Sequence, residues 1–150
     1  MSFGLSENEE SAMENYFEIA LEEEDLRAIS SIGLAHLGDA VFELLVRTWL
    51  CAHGKATGKD LHRAAIALVC APEQAHRAQR VLPLLTPEED AVFKRGRNAA
   101  VHGIPKNATT AQYHQATALE CLLGWLYLRG DTKRVNQLFT VMMEEDQPCR

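Results

Sequence analysis

The stretch IGLAHLGDAVFELLV, residues 32–46, is apolar enough to be buried as a helix, yet it carries Asp39 beside a glycine at its centre, a second carboxylate at Glu43 and no cation. An unpaired buried carboxylate costs several kcal/mol, or shifts its pKa and neutralises. A chain that keeps one has a use for it. A second isolated acid follows some eighty residues later: in NATTAQYHQATALECLLGWLYL, residues 107–128, Glu120 is the only formal charge. Small residues surround each acid, Gly33, Ala35, Gly38 and Ala40 in one case and Ala116, Ala118 and Gly124 in the other. Glycine inside a helix costs about 1 kcal/mol relative to alanine, so this clustering predicts two helices crossing with their backbones near contact. Two acids brought together there would repel, and one would hold its proton at neutral pH unless a cation joined them. No Lys or Arg is local to either. A divalent cation solves the problem, and oxygen ligands with room for water favour Mg²⁺. The plainer alternative, that each acid separately caps or hydrogen-bonds a buried amide, stays open on spacing alone.

Around these two segments the pattern is helical nearly throughout. Ser6 with Glu9 offers a capping box for a first helix over 7–25. A second runs from about Ser30 to His53 and stops at Gly54. GKATGKD, residues 54–60, reads as a loop, with Asp60 capping a short helix through Cys70. Pro72 suits the first turn of the next helix, which Pro83 limits. Thr86, Pro87 and Glu89 form a strong start signal for a helix reaching about Ala99. VHGIPKNA, residues 101–108, is a loop. Thr109 and Gln112 open the long apolar helix to Gly130, and Asp131 caps a last one with Val135, Leu138, Phe139 and Met142 on one face. With no alternating strand pattern and no repeat, the fold class is all-α.

One hundred and fifty residues, 47% of them hydrophobic and 24% charged, suit a single globular domain. The organisation expected is an acidic N-terminal segment over 1–25 with a helix, a catalytic domain over 26–146 and a short tail over 147–150. No apolar run approaches the length of a membrane span. The opening lacks the basic-then-apolar order of a signal peptide, which predicts a cytoplasmic protein. The four cysteines show no regular spacing. Cys51, Cys70 and Cys121 sit in apolar stretches, as reduced core cysteines do. The net charge of −6 is unevenly spread: residues 1–25 hold nine acids and no Lys or Arg, whereas residues 26–143 hold nine acids against fourteen bases. The body is therefore mildly basic, and the whole-chain charge is a poor guide to partners.

At this point the motifs carry a resemblance. LAHLGDAVFE, residues 34–43, resembles the signature helix of the ribonuclease III family, and TALECLLGWLYL, residues 117–128, resembles its second acidic helix. DLHRAA, KRGRNA and PKN, in this order, look like the mini-ribonuclease III subgroup, which has no separate double-stranded-RNA-binding domain. The match covers roughly residues 28 to 143. The resemblance implies a compact helical endonuclease domain, acting as a homodimer with one site per subunit. It makes Asp39 and Glu120 the catalytic and Mg²⁺-binding acids. The family's extra glutamate before the aspartate is Ala35 here, and the extra aspartate before the second glutamate is Thr117. Fewer carboxylates are thus available than in the usual two-acid motifs, as in the subgroup. The activity implied is Mg²⁺-dependent cleavage of double-stranded RNA to 5′-phosphate and 3′-hydroxyl ends. In the subgroup the role is trimming of large-subunit (23S) ribosomal RNA precursors, with a ribosomal protein as a possible helper.

FKRGRNAAVHGIPKN, residues 93–107, supplies the expected grip on RNA. Lys94, Arg95, Arg97 and Lys106 would contact phosphates, and Asn98, His102 and Asn107 would add hydrogen bonds. A solvated helix end, where cations favour the C-terminal dipole, is the bland reading of the same charges. GKATGKD is one residue short of a phosphate-binding loop and ends in Asp60, so that reading is rejected. Glu43 either assists the metal or pairs with Arg47 one turn on. His62 faces RNA or simply solvent. Val41, Phe42, Leu45 and Trp49 are expected to feed a two-fold interface. The competing function is a dimeric RNA-binding or ribosome-assembly module of the same fold that has lost turnover.

Overall fold

The structure, a computed structural model, describes residues 14–55, 57–99 and 108–144. Among them every regular element is helical: α1 Glu23–Arg27, α2 Ser31–Ala52, α3 Gly58–Val69, α4 Ala71–Val81, α5 Pro87–Ala99, α6 Thr110–Leu128 and α7 Thr132–Met143. Short 3-10 turns occupy Tyr16–Glu18 and Leu82–Leu84.

Local caps explain the boundaries. Ser30 Oγ accepts from the Gly33 N–H at 3.0 Å to open α2, and Gly54, at φ +92°, closes it, a backbone state that costs glycine nothing. Thr86 and Glu89 satisfy each other's backbone N–H at 3.2 and 2.9 Å, as Thr109 and Gln112 do at 3.1 and 2.9 Å. Each such cap contributes about 1 kcal/mol. Asp131 accepts from the Arg134 N–H at 3.4 Å. Helix α3 departs from expectation, because its cap is Thr57, whose Oγ1 accepts from the Asp60 N–H at 3.3 Å. Asp60 instead sits inside the first turn, where its charge suits the dipole.

Three further expectations need correction. The helix over 7–25 does not form in the part described: residues 14–22 hold only one 3-10 turn, and α1 starts at Glu23. A run of acids without basic partners disfavours helix. The segment lies instead across the end of α6, where the Leu21 N–H donates to Leu128 O at 2.8 Å and the Tyr127 hydroxyl donates to Tyr16 O. The Ser6–Glu9 box lies outside the described residues. Second, Cys121 is buried but Cys51 and Cys70 are exposed. Cys51 follows the exposed Leu44 by seven residues, on the same outward face of α2. Cys149 is outside the described residues. Third, Phe42 is fully buried and meets the Phe139 ring edge-on at 6.2 Å, while Val41, Leu45 and Trp49 pack against the same core. Apolar surface expected to await a partner belongs largely to the monomer.

Helix α6 is the axis of the fold. From Ala116 to Leu126 every residue is buried except Glu120, which is half-buried, and α2, α4, α5 and α7 pack around it. A helix apolar on all sides takes that central place. The expected close crossing is present between α2 and α6. A Cβ at Gly38 would lie 1.6 Å from the Glu120 carbonyl oxygen, and one at Gly124 would lie 2.1 Å from that of Leu34. Helix α7 is fastened by arginines. Arg134 holds the buried Glu89 carboxylate at 2.9 and 2.8 Å and donates to Leu84 O at 2.9 Å. That hydrogen-bonded guanidinium holds Glu89 below the usual carboxylate range. Arg77, buried on α4, pairs with Glu73 at 2.9 Å and donates to Met142 O at 2.8 Å, satisfying a carbonyl at the end of α7 that no helix partner can reach.

Candidate active site

The crossing of α2 and α6 brings Asp39 and Glu120 onto the wall of one cavity of about 570 Å³. Asp39 is the more exposed of the two and Glu120 the deeper. Burial pushes the Glu120 carboxyl up to about 8, the nearby Asp39 charge adds to the push, and a side-chain hydrogen bond with Gln74 opposes it. Asp39 is also raised, by burial and by Glu43, with His36 pulling it back. Among the described residues neither carboxylate draws on a Lys or Arg, and the two acids repel with only His36 pulling the other way at Asp39.

The rest of the wall tells what the site can hold. Ala35 and Thr117, which stand where the family's motifs carry further acids, line the same cavity. Thr117 turns its hydroxyl to Tyr113 O at 3.0 Å. Among the described residues no group of three or more His, Cys, Asp or Glu gathers as a metal cluster. Two carboxylates, neutral oxygens and an open mouth fit a hard cation that keeps several waters, as Mg²⁺ does, and suit a thiolate- or imidazole-seeking metal poorly. Glu43 pairs with Arg47 and reaches Asp39 only through its charge. His62 lies on the exposed face of α3.

Gln74, from α4, escaped the sequence reading. It is 2% exposed, lines the cavity with both acids, and donates from Nε2 to Val69 O at 2.9 Å. A signal existed: Gln74, Ala78 and Val81 recur at i, i+4 and i+7 on the buried stripe of α4, and an amide on such a stripe needs a partner.

The basic residues are arranged less simply. Lys94 pairs with Asp90 at 2.7 Å. Arg95 turns to a separate cavity of about 510 Å³, with Leu26, Val92, Cys121, Trp125 and Arg129 on its wall. The Arg97 Nε–H reaches Asn98 Oδ1 only at 3.5 Å. His102, Lys106 and Asn107 lie outside the described residues.

A helical bundle with an acid on each of two crossing helices, both on the wall of one cavity, defines a class of fold and site. The ribonuclease III domain matches residues 33–131. This chain belongs to the ribonuclease III family. It is 44% identical over 105 residues to the mini-ribonuclease 3 of Symbiobacterium thermophilum, spanning 70% of this chain and 81% of that protein. It is 41% identical over 125 residues to the mini-ribonuclease 3 of Synechocystis, spanning 83% and 85%. A solved crystal structure of a protein from Fusobacterium nucleatum superposes with a TM-score of 0.74 at 28% identity, covering 81% of this chain and 98% of that one. Among the described residues no helix is long and apolar enough to cross a membrane.

Proposed function

We propose that this protein is a Mg²⁺-dependent endoribonuclease that cleaves double-stranded RNA and matures the ends of the large-subunit (23S) ribosomal RNA precursor in the cytoplasm. Family membership supports the endoribonuclease; the observation that carries the metal dependence is the Asp39–Glu120 pair, two repelling carboxylates in one cavity that no described Lys or Arg lines. These two side chains would hold Mg²⁺, which when bound polarises the phosphodiester and makes a water more acidic. Glu120, protonated at neutral pH while the metal is absent, must release its proton to bind, so metal binding and proton loss are coupled. In the cleavage a water oxygen would bond to phosphorus as the P–O3′ bond breaks, the water giving up a proton and the leaving O3′ taking one, which gives a 5′-phosphate and a 3′-hydroxyl. Incubating the protein with a duplex RNA, with and without Mg²⁺, tests the reading. Duplex binding without cleavage in Mg²⁺ would identify the inactive RNA-binding or assembly module instead.

The RNA is held by Lys94, Arg95, Arg97, Asn98, His102, Lys106 and Asn107. Arg95→Ala with Arg97→Ala is expected to weaken binding to many duplexes alike. For every phosphate no longer neutralised, the slope of log affinity against log salt should flatten by roughly 0.7–0.9. Salt titrations in a Glu120→Gln background measure this, and an unchanged slope would place the grip elsewhere.

The protein acts as a homodimer, with a ribosomal protein as a further partner on its precursor RNA. Support for a two-fold contact is the outward side of α2, where Leu44 remains 56% exposed, with Leu37 and Val41 half-buried beside it. Leu44→Glu should shift sedimentation from dimer to monomer at micromolar concentration. A wild-type monomer with full activity would overturn the dimer.

A further inference from the structure

Gln74 presents an accounting problem that its neighbours do not solve. Its Nε2 has two hydrogens: one goes to Val69 O at 2.9 Å, and the side chain also hydrogen-bonds Glu120. Oε1 is buried and accepts a hydrogen bond from no described residue. An orphaned buried acceptor costs about 1–3 kcal/mol. Methionine or leucine would fill the same place on the α4 stripe without that cost. Bonding Val69 O alone, as a brace between α3 and α4, would explain the nitrogen but not the oxygen. The side chain lines the cavity containing Asp39 and Glu120, and a small turn of the amide would bring the covered oxygen to the waters of a hydrated cation, the donors to be expected there.

We propose that Gln74 is a positioning residue of this site: its amide nitrogen fixes the Glu120 carboxylate, and its amide oxygen accepts from a water carried by the divalent cation. The inference rests on the reading of Asp39 and Glu120 as metal-holding acids. It adds a third helix to the site, so that α2 and α6 supply charge and α4 supplies orientation. A partner that orients a ligating carboxylate changes metal affinity by about 10–100-fold when removed.

The test uses the full chain and Mn²⁺ as the probe, titrated into wild type, Gln74→Met, Gln79→Met, Asp39→Asn and Glu120→Gln. Gln79 is exposed on the same helix and controls for helix composition. Gln74→Met should bind Mn²⁺ about tenfold more weakly, and Gln79→Met should match wild type. A bracing role alone would lower the melting temperature of metal-free Gln74→Met and leave its Mn²⁺ affinity unchanged, which overturns the proposal. A second measurement needs no variant of Gln74. In ¹⁵N-labelled wild type, Mg²⁺ should move the Gln74 side-chain amide resonances saturably, and should not do so in Glu120→Gln. Gln74 resonances that stay still while Mg²⁺ binds would likewise overturn it. If Asp39→Asn and Glu120→Gln keep wild-type Mn²⁺ affinity, the acid pair itself is misread; if they lose it and Gln74→Met does not, only the role of Gln74 falls.

Discussion

Asp39→Asn and Glu120→Gln should each slow cleavage of duplex RNA by roughly 10³-fold or more, since the metal they are proposed to hold would contribute several kcal/mol and each ~1.4 kcal/mol is tenfold. The fold should survive, and the same change should stabilise the metal-free protein. In the folded chain the Glu120 carboxyl is pushed up to about 8 from an ordinary 4.5. Between those values the folded state keeps a proton that the unfolded chain has released. Its contribution to stability is therefore fully present below the ordinary value and is lost as pH rises through about 8. Glutamine cannot ionise and escapes the loss. Metal-free Glu120→Gln should melt above wild type at alkaline pH, and the gap should close as the solution is acidified. Saturating Mg²⁺ should reverse the order, because only the wild type gains from binding. Melting curves across pH, with and without Mg²⁺, check this together with duplex cleavage. A variant that cuts near the wild-type rate would remove its residue from the role, and equal alkaline melting without metal would show that burial beside Asp39 does not disfavour a charged Glu120.

Gly38→Ala is expected to destabilise the protein by about 3 kcal/mol or more, at the upper end of overpacking. Alanine's better helix propensity returns only about 1 kcal/mol. The added methyl would meet the Glu120 carbonyl oxygen at 1.6 Å and its carbon at 2.5 Å. Neither atom belongs to a side chain that can rotate away, so α2 and α6 must part. Gly124→Ala, aimed at the Leu34 carbonyl at 2.1 Å, should behave alike. Gly58→Ala, with nothing within 4 Å, serves as the control and should stay within about 1 kcal/mol of wild type. Denaturant midpoints of the three variants decide the matter; a Gly38→Ala protein as stable as the control would mean the helices are not in backbone contact. Separation would also displace Asp39 from Glu120, so any folded remainder should bind Mn²⁺ weakly.

The features readable in advance were those whose physics is local. A threonine with Glu or Gln three residues on satisfies helix N–H groups within four residues, so the starts of α5 and α6 followed from Thr86, Glu89, Thr109 and Gln112. Asp39 and Glu120 were readable because a charge on an apolar helix among small residues implies a buried crossing. The N-terminal segment was misread because its conformation is settled by contacts with Leu128 and Tyr127, more than a hundred positions away. Asp60 lost the cap of α3 to Thr57, two plausible caps three residues apart. Gln74 drew no notice because an uncharged amide signals its partner only once the face it occupies is known. Arg95 also lines the cavity of Leu26, Val92 and Trp125, a placement that a charge count does not show.

The central position of α6 also governs the order in which the molecule opens. Glu120 belongs to the helix against which α2, α4, α5 and α7 all rest, so its backbone amide can meet solvent only when the whole assembly comes apart. Helix α3 buries a single residue, Ala65, and is held chiefly by α2. Segments with so few buried neighbours open at a small fraction of the global unfolding free energy. In deuterated water the amides of α3 should therefore exchange long before those around Glu120, whose protection should report global stability.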